Sequence, residues 1–558
     1  MNIKRVFVLG IDGATFDIIN PMIAEGKLPN LARMIQAGSY GDLTSTIPPN
    51  SSVAWTSFAT GKNSGKHGIY YFRERNIGSY ERPIISSRSI KCKTLWKILS
   101  EQGKRVGVMN VPVTYPPDNV NGYLISGLLA PDRKSVFTHP PGLHLELLKE
   151  LGDYPLDNEA EIIYRSSGDE LAAFQHLIYS TKKLMEAAFY LMRKFEWDFF
   201  IVVPTIVDRI QHIAWKYMLP EFKKKNPALW QKFEIAIEVS YRIVDEQLGS
   251  LKASLDKDII LIVMSDHGFG PISYKFYINR WLKRLGLLRL KRSAEIKCKL
   301  LESSKTFLKR SLIGLGIRAG IPGRILNKIQ ALPIININSE RLHTLIDWSK
   351  TRAFSSWTSG EEIVIINLKG REPEGIVNPG KEYEELRDFI IKKLYQLKGD
   401  KEEKLVDRAY RREELYSGPY VHLAPDIQFT TNDMSVQPRG ELVGEEILVR
   451  PDDFSPALHR MNGVLLIEGN GIKQNFKIEE ARIIDLAPTI LYLLGVPIPN
   501  DMDGKVLTSC ITEDYLKANA VQLSGHQYLT SGDTNGHKAY TNQEENQLKE
   551  ALKGLGYI

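Results

Sequence analysis

The chain has 558 residues, 43% of them hydrophobic and 25% charged, which is ordinary globular usage and excludes wholesale disorder. Its formal net charge of +7 would suit nucleic acid or an anionic membrane if it were spread evenly, but 13 Lys and Arg against 2 Glu between Lys283 and Lys328 give that segment +11 and leave the remainder at −4. No specific nucleic-acid partner is expected on that distribution, and the three scattered cysteines, Cys92, Cys298 and Cys510, exclude a disulfide framework and a thiolate zinc site.

In chain order, Lys4-Arg5 and the apolar run to Ile11 imitate a secretion signal, but Asp12 interrupts the run before it reaches the length of an apolar signal core. It reads as a first strand. Further short runs rich in Val, Ile and Phe follow at Val106–Val111, Phe199–Val203, Ile259–Met264 and Val464–Ile467. Each reads as a strand buried on both faces. Between them, Ile18–Ala37 and Asp169–Lys194 carry the helical period. The alternation predicts an α/β fold with a parallel or mixed sheet. No stretch of about 18 apolar residues suggests a spanning helix, so a cytoplasmic protein is expected. The basic segment, with Leu, Ile and Phe among its Lys and Arg, interrupts the alternation. It reads as a helical insertion, either packed on the core as a solvated hairpin or acting as a lid or interfacial element against anionic membrane. The chain after about Thr508 is polar until Leu548–Ile558 and reads as an extension ending in a docking helix.

Ligands of such sheets bind beyond the carboxyl ends of the strands, and three of the apolar runs end in acid there: Asp12-Gly13, Asp208, and Asp266-His267-Gly268. Singly, an Asp-Gly after a strand is a turn signal. Together, carboxylates and imidazoles at one sheet edge stay unsatisfied unless cations neutralise them, and their O and N donors suit Zn²⁺ or Mn²⁺. Asp208 and His212, four apart at a helix start, share one face. Helix capping would explain Asp208 but not His212. Ser51, in Pro48-Pro49-Asn50-Ser51-Ser52, opens a segment Val53–Ala59 that can be helical. It is either a capping serine or a nucleophile where backbone N–H groups favour phosphate oxygens.

With these residues in place the chain resembles the alkaline phosphatase superfamily, in its type I phosphodiesterase and nucleotide pyrophosphatase branch. The family's first metal-binding aspartate is similar to Asp12. Its nucleophile, nine residues before a Thr-Gly pair, is similar to Ser51 before Thr60-Gly61. Its Asp-x-x-x-His pair resembles Asp208 and His212, its Asp-His pair resembles Asp266 and His267, and its last histidine resembles His459. Asp485-Leu-Ala-Pro-Thr-Ile-Leu and Asp501-Met-Asp-Gly504 resemble the closing segment.

The resemblance implies a three-layer sandwich with a mostly parallel central sheet. It also implies two divalent cations, Zn²⁺ or Mn²⁺, one held by Asp208, His212 and His459 and the other by Asp12, Ser51, Asp266 and His267. The implied activity is hydrolysis of a phosphorylated small-molecule or lipid-linked substrate through a phosphoserine on Ser51, with Ser52 as a rival nucleophile. Where the family carries an asparagine after His-Gly, this chain has Tyr70-Tyr71-Phe72 after His67-Gly68, so the phosphoryl-oxygen contact falls to Asn50, Lys62 or Arg73. A phosphotransferase or mutase acting on a lipid- or glycan-linked phosphate would use the same groups. A sulfatase is disfavoured because Ser51 is not followed by x-Pro-x-Arg, and a non-catalytic binding protein because every position is filled. The expected organisation is a catalytic core at 1–282 and 346–508, the insertion at 283–345, and the extension at 509–558.

Overall fold

A computed structural model describes residues 5–256, 258–295, 343–356, 360–451, 457–525 and 539–554. Most of the basic segment 283–328, and with it the expected membrane contact, lies outside the described residues.

The apolar runs become strands of a ten-stranded sheet: β1 (Arg5–Gly10), β2 (Ser39–Thr44), β3 (Val106–Val111), β4 (Gly122–Ser126), β5 (Thr138–His139), β6 (Phe199–Val202), β7 (Ile259–Met264), β8 (Asn462–Glu468), β9 (Phe476–Lys477) and β10 (Ala481–Arg482). Their spatial order is β9-β2-β8-β7-β1-β6-β3-β4-β5, with β10 also on β2. The five neighbours from β7 to β4 are parallel. β8 runs antiparallel to both β7 and β2, making the sheet mixed. Successive residues of a strand face opposite sides, and here both sides are apolar: Phe7 and Leu9 enter one core while Val6 and Val8 enter the other. Helices cover both faces, which is why these strands show no polar alternation in sequence. The stretch Ile18–Ala37 divides into helices Phe16–Ala24 and Pro29–Ala37, because Gly26 adopts a φ of 73° and Pro29 opens the second helix, where its missing N–H costs nothing.

A second body packs separately. Strands Ala353–Phe354, Ile363–Ile366, Ile427–Thr431 and Val406–Arg411 form, in that order, an antiparallel sheet, and Leu386, Ile390 and Leu394 of helix Lys381–Leu394 share its core. It is tied to the chain around Ser51 by Tyr416, whose hydroxyl donates to Ile47 O at 2.8 Å, and by Tyr70, whose hydroxyl donates to Tyr420 O at 2.8 Å. The C-terminal helix Asn542–Gly554 buries Leu548 and Leu552 against the first core. Among the described residues, no helix is long and apolar enough to cross a membrane.

Candidate metal centre at the carboxyl edge of the sheet

Two short helices carry side chains to the ends of the parallel strands: α1 (Ser51–Thr60) and α2 (Ile206–Ala214). Asn50 caps α1, its Oδ1 accepting from Ser52 N at 3.1 Å and from Ser52 Oγ at 2.6 Å. The capping role therefore falls to Asn50, and Ser52 is turned toward it. Ser51 Oγ lies instead 3.0 Å from His267 Nε2, in a fully buried first turn of the helix. Asp12 follows β1, and Asp266-His267 follow β7, each after one residue.

From Ser51 the side chains form an unbroken series of contacts. His267 Nε2 is 3.8 Å from Asp12 Oδ1 and 3.3 Å from Asp266 Oδ2. Its ring stacks on His459 with centroids 3.7 Å apart. His459 Nε2 is 3.4 Å from Asp208 Oδ1 and 3.1 Å from His212 Nε2, and His212 Nε2 is itself 3.4 Å from Asp208 Oδ1. Two overlapping groups have donor atoms close enough to share one ion each: Asp12 with Asp266 and His267, and Asp208 with His267 and His459. His212 adds a third donor beside Asp208 and His459.

Backbone carbonyls fix two of the rings. His267 Nδ1 is 3.0 Å from Gly268 O, and His459 Nδ1 is 3.0 Å from Pro49 O. A carbonyl only accepts, so each Nδ1 carries the hydrogen and each Nε2 presents a lone pair to the centre. Burial lowers the basicity of both rings, His267 to about 4, which keeps them neutral at physiological pH, the form that binds metals.

The carboxylates divide. Burial and then the neighbouring carboxylates push Asp12 well above the usual range, with Asp266 and Asp208 both contributing. Asp266 is raised by burial and then by Asp208. For Asp208 burial acts upward too, but His212 and His459 outweigh it and hold the group well below the usual range. Asp12 Oδ1 and Asp266 Oδ2 are buried without a hydrogen-bond partner. Three acids with two oxygens unsatisfied, facing imidazole lone pairs, form a donor set that fits divalent cations; without them Asp12 and Asp266 are driven toward protonation.

Gly13 makes the close approach possible. Its φ is 71°, its N–H donates to Asp266 Oδ1 at 3.3 Å, and a Cβ there would meet Asp208 Cβ at 3.0 Å. Sequence reasoning missed Trp55, whose Nε1–H donates to Asp12 Oδ2 at 2.9 Å and so turns the carboxylate's other oxygen inward. The available signal was its i+4 spacing from Ser51 on one helix face. The candidate phosphoryl contacts fare differently. Asn50 adjoins Ser51 as the cap. Lys62 sits beyond the far end of α1, about 15 Å along the axis, in a buried ion pair with Asp501. Arg73 donates to Arg82 O at 3.3 Å and lines a small cavity with Tyr70, Tyr71 and Ile363, none of which belongs to the series of contacts from Ser51 to His212.

Residues 6–441 match the family described as type I phosphodiesterase / nucleotide pyrophosphatase. Among solved structures, phosphonoacetate hydrolase from Sinorhizobium meliloti 1021, in complex with phosphonoformate, aligns over 88% of this chain and 95% of its own, with a TM-score of 0.53 at 14% identity. Human ectonucleotide pyrophosphatase / phosphodiesterase 5 aligns over the same shares with a TM-score of 0.47 at 12% identity. A 2,3-bisphosphoglycerate-independent phosphoglycerate mutase of Wolbachia pipientis wMel is 55% identical over 38 residues, 7% of this chain, and the match spans 8% of that relative's length.

Proposed function

Because the chain belongs to the type I phosphodiesterase / nucleotide pyrophosphatase family, and is thereby a metal-dependent phosphoric ester hydrolase, we propose that Ser51 is its nucleophile and that the acids and imidazoles around it are the metal ligands. The observation that carries this reading is the unbroken series of contacts from Ser51 Oγ through His267 to His459 and Asp208. Asp12, Ser51, Asp266 and His267 would hold one cation and Asp208, His212 and His459 the other, with Zn²⁺ favoured over Mn²⁺ by the three imidazoles. When bound, such ions supply Lewis acidity that eases deprotonation of a hydroxyl and of water and offsets charge on the phosphoryl oxygens.

The chain's own groups do the rest. Ser51 Oγ gives up its proton and attacks the phosphorus of a phosphorylated small molecule, the bond to the leaving alcohol breaks with that alcohol taking up a proton, and the phosphoryl group stays on Ser51. The N-terminal end of α1, where the helix dipole is positive, faces its oxygens. Asn50, by holding Ser52, keeps the neighbouring hydroxyl out of the attack. Water then attacks phosphorus, the bond from phosphorus to Ser51 Oγ breaks to release the phosphate product, and Ser51 Oγ takes up a proton lost by that water. A phosphodiester is the favoured substrate class, on family grounds. The 38-residue match to a phosphoglycerate mutase favours a second reading, in which an alcohol takes the phosphoryl group in place of water.

The test is acid-quenched turnover of an aryl phosphodiester with Zn²⁺ or Mn²⁺, followed by peptide mass spectrometry. Phosphate on Ser51 is expected, with turnover lost by about 1,000-fold or more in Ser51→Ala and retained in Ser52→Ala. Wild-type turnover by Ser51→Ala would refute the assignment, and phosphoryl transfer to added alcohols without hydrolysis would establish the second reading.

A further inference from the structure

One residue beyond Asp208, the structure holds a buried ionic network that the reaction above does not use. Arg209 is 1% exposed. Its guanidinium donates to Asp157 Oδ2 at 2.7 Å and to Glu161 Oε1 at 2.9 Å, spanning two acids four residues apart. The other oxygen of Asp157 accepts from the Thr205 hydroxyl and, at 3.5 Å, from Asn110 Nδ2. Asp157 thus grips the chain on both sides of Asp208, three residues before it and one after.

On a helix turning roughly 100° per residue, Asp208 and His212 share a narrow face, with Arg209 on one flank and Gln211 on the other. Gln211 is anchored as well: its Nε2 donates to Gly13 O at 2.8 Å and its Oε1 accepts from the Tyr241 hydroxyl at 3.2 Å. The opposite face, with Ile206, Val207 and Ile210, enters the apolar core. Apolar packing of that kind tolerates small rotations, whereas a fork onto two acids does not. α2 also lacks a side-chain cap, since Thr205 stands at the cap position but its hydroxyl goes to Asp157. A buried Arg with two carboxylates is a poor stabiliser relative to apolar residues of the same volume, and its best-attested use is to fix one arrangement among several.

We propose that Arg209 is a positioning residue: by bridging Asp157 and Glu161 it sets the rotation of α2, and so the affinity of the Asp208, His212 and His459 group for its cation. This rests on the reading of those three side chains as ligands. The test is Zn²⁺ titration of metal-stripped protein against a chromophoric chelator, resolving the two binding steps, together with thermal unfolding of the metal-free protein. Arg209→Lys keeps the charge but loses the fork. It is expected to weaken one binding step by about 10–100-fold and leave the other within about threefold. Arg209→Met combined with Asp157→Asn and Glu161→Gln removes the uncompensated acids. It is expected to recover the thermal midpoint but not the weakened step. Unchanged binding in Arg209→Lys, equal weakening of both steps, or recovery of affinity in the triple variant would each overturn the proposal. Wild-type protein that binds no Zn²⁺ would instead defeat the ligand assignment on which it stands.

Discussion

The two halves of the pocket solve the same electrostatic problem in opposite ways. On the side of Asp12 and Asp266, two buried acids share one neutral imidazole, and both are driven toward protonation by burial and by their acidic neighbours. On the side of Asp208, one acid faces two imidazoles, His212 and His459, and is held ionised despite burial. The first half therefore sheds its charge by taking up protons unless a cation is bound, while the second keeps a carboxylate charge beside its two imidazoles. The difference places the pH sensitivity of the metal-free protein in the Asp12 and Asp266 half and makes the other half dependent on the geometry of α2.

The largest expected effect removes the ring that joins the halves. His459 stacks on His267 and contacts Asp208 and His212, so His459→Ala should lower turnover of an aryl phosphodiester by about 100-fold or more, beyond the 10–100-fold typical of outer-sphere partners. Turnover within threefold of wild type would break the comparison. Next comes stability. Asp12 and Asp266 have raised native values, so with a chelator present their contribution is full below the ordinary carboxyl range and is lost as pH rises through those values. Asp208 is depressed, so its contribution is present above that range and is lost as pH falls toward its native value. The thermal midpoint of chelated protein should fall between pH 5 and 9. Asp266→Asn should raise it at pH 8, because about 1–3 kcal/mol of desolvation is relieved, while abolishing activity. A lower midpoint in Asp266→Asn would contradict the assignment. The smallest effect is Trp55→Phe, which removes the donor to Asp12. It should weaken Zn²⁺ binding by about tenfold with little change in unfolding, as a chelator titration would show.

How much of this was legible depended on whether the information was local. The central strands could be read because burial on both faces makes them continuously apolar, and Asp12, Asp208 and Asp266 stood out because each closes such a run. His459 carried no local signal and was reached only through the order of residues shared with a family. The carbonyls of Pro49 and Gly268, which fix the rings of His459 and His267, are backbone acceptors that no side chain announces. Trp55 and Arg209 are ordinary helix residues until the tertiary structure shows what they touch. The antiparallel second sheet was missed because strands such as Val406–Arg411 are half exposed and mix charge with apolar residues. Lys62 was misleading for a related reason: its distance from Ser51 in sequence is short, but a ten-residue helix separates them in space.

Anomalous diffraction from crystals grown with Zn²⁺ and measured at its absorption edge tests the two-cation pocket most directly. Two peaks are predicted, one bounded by Asp12, Asp266 and His267 beside Ser51, the other by Asp208, His212 and His459. No peak among these side chains, or a peak only at other residues, would contradict the account.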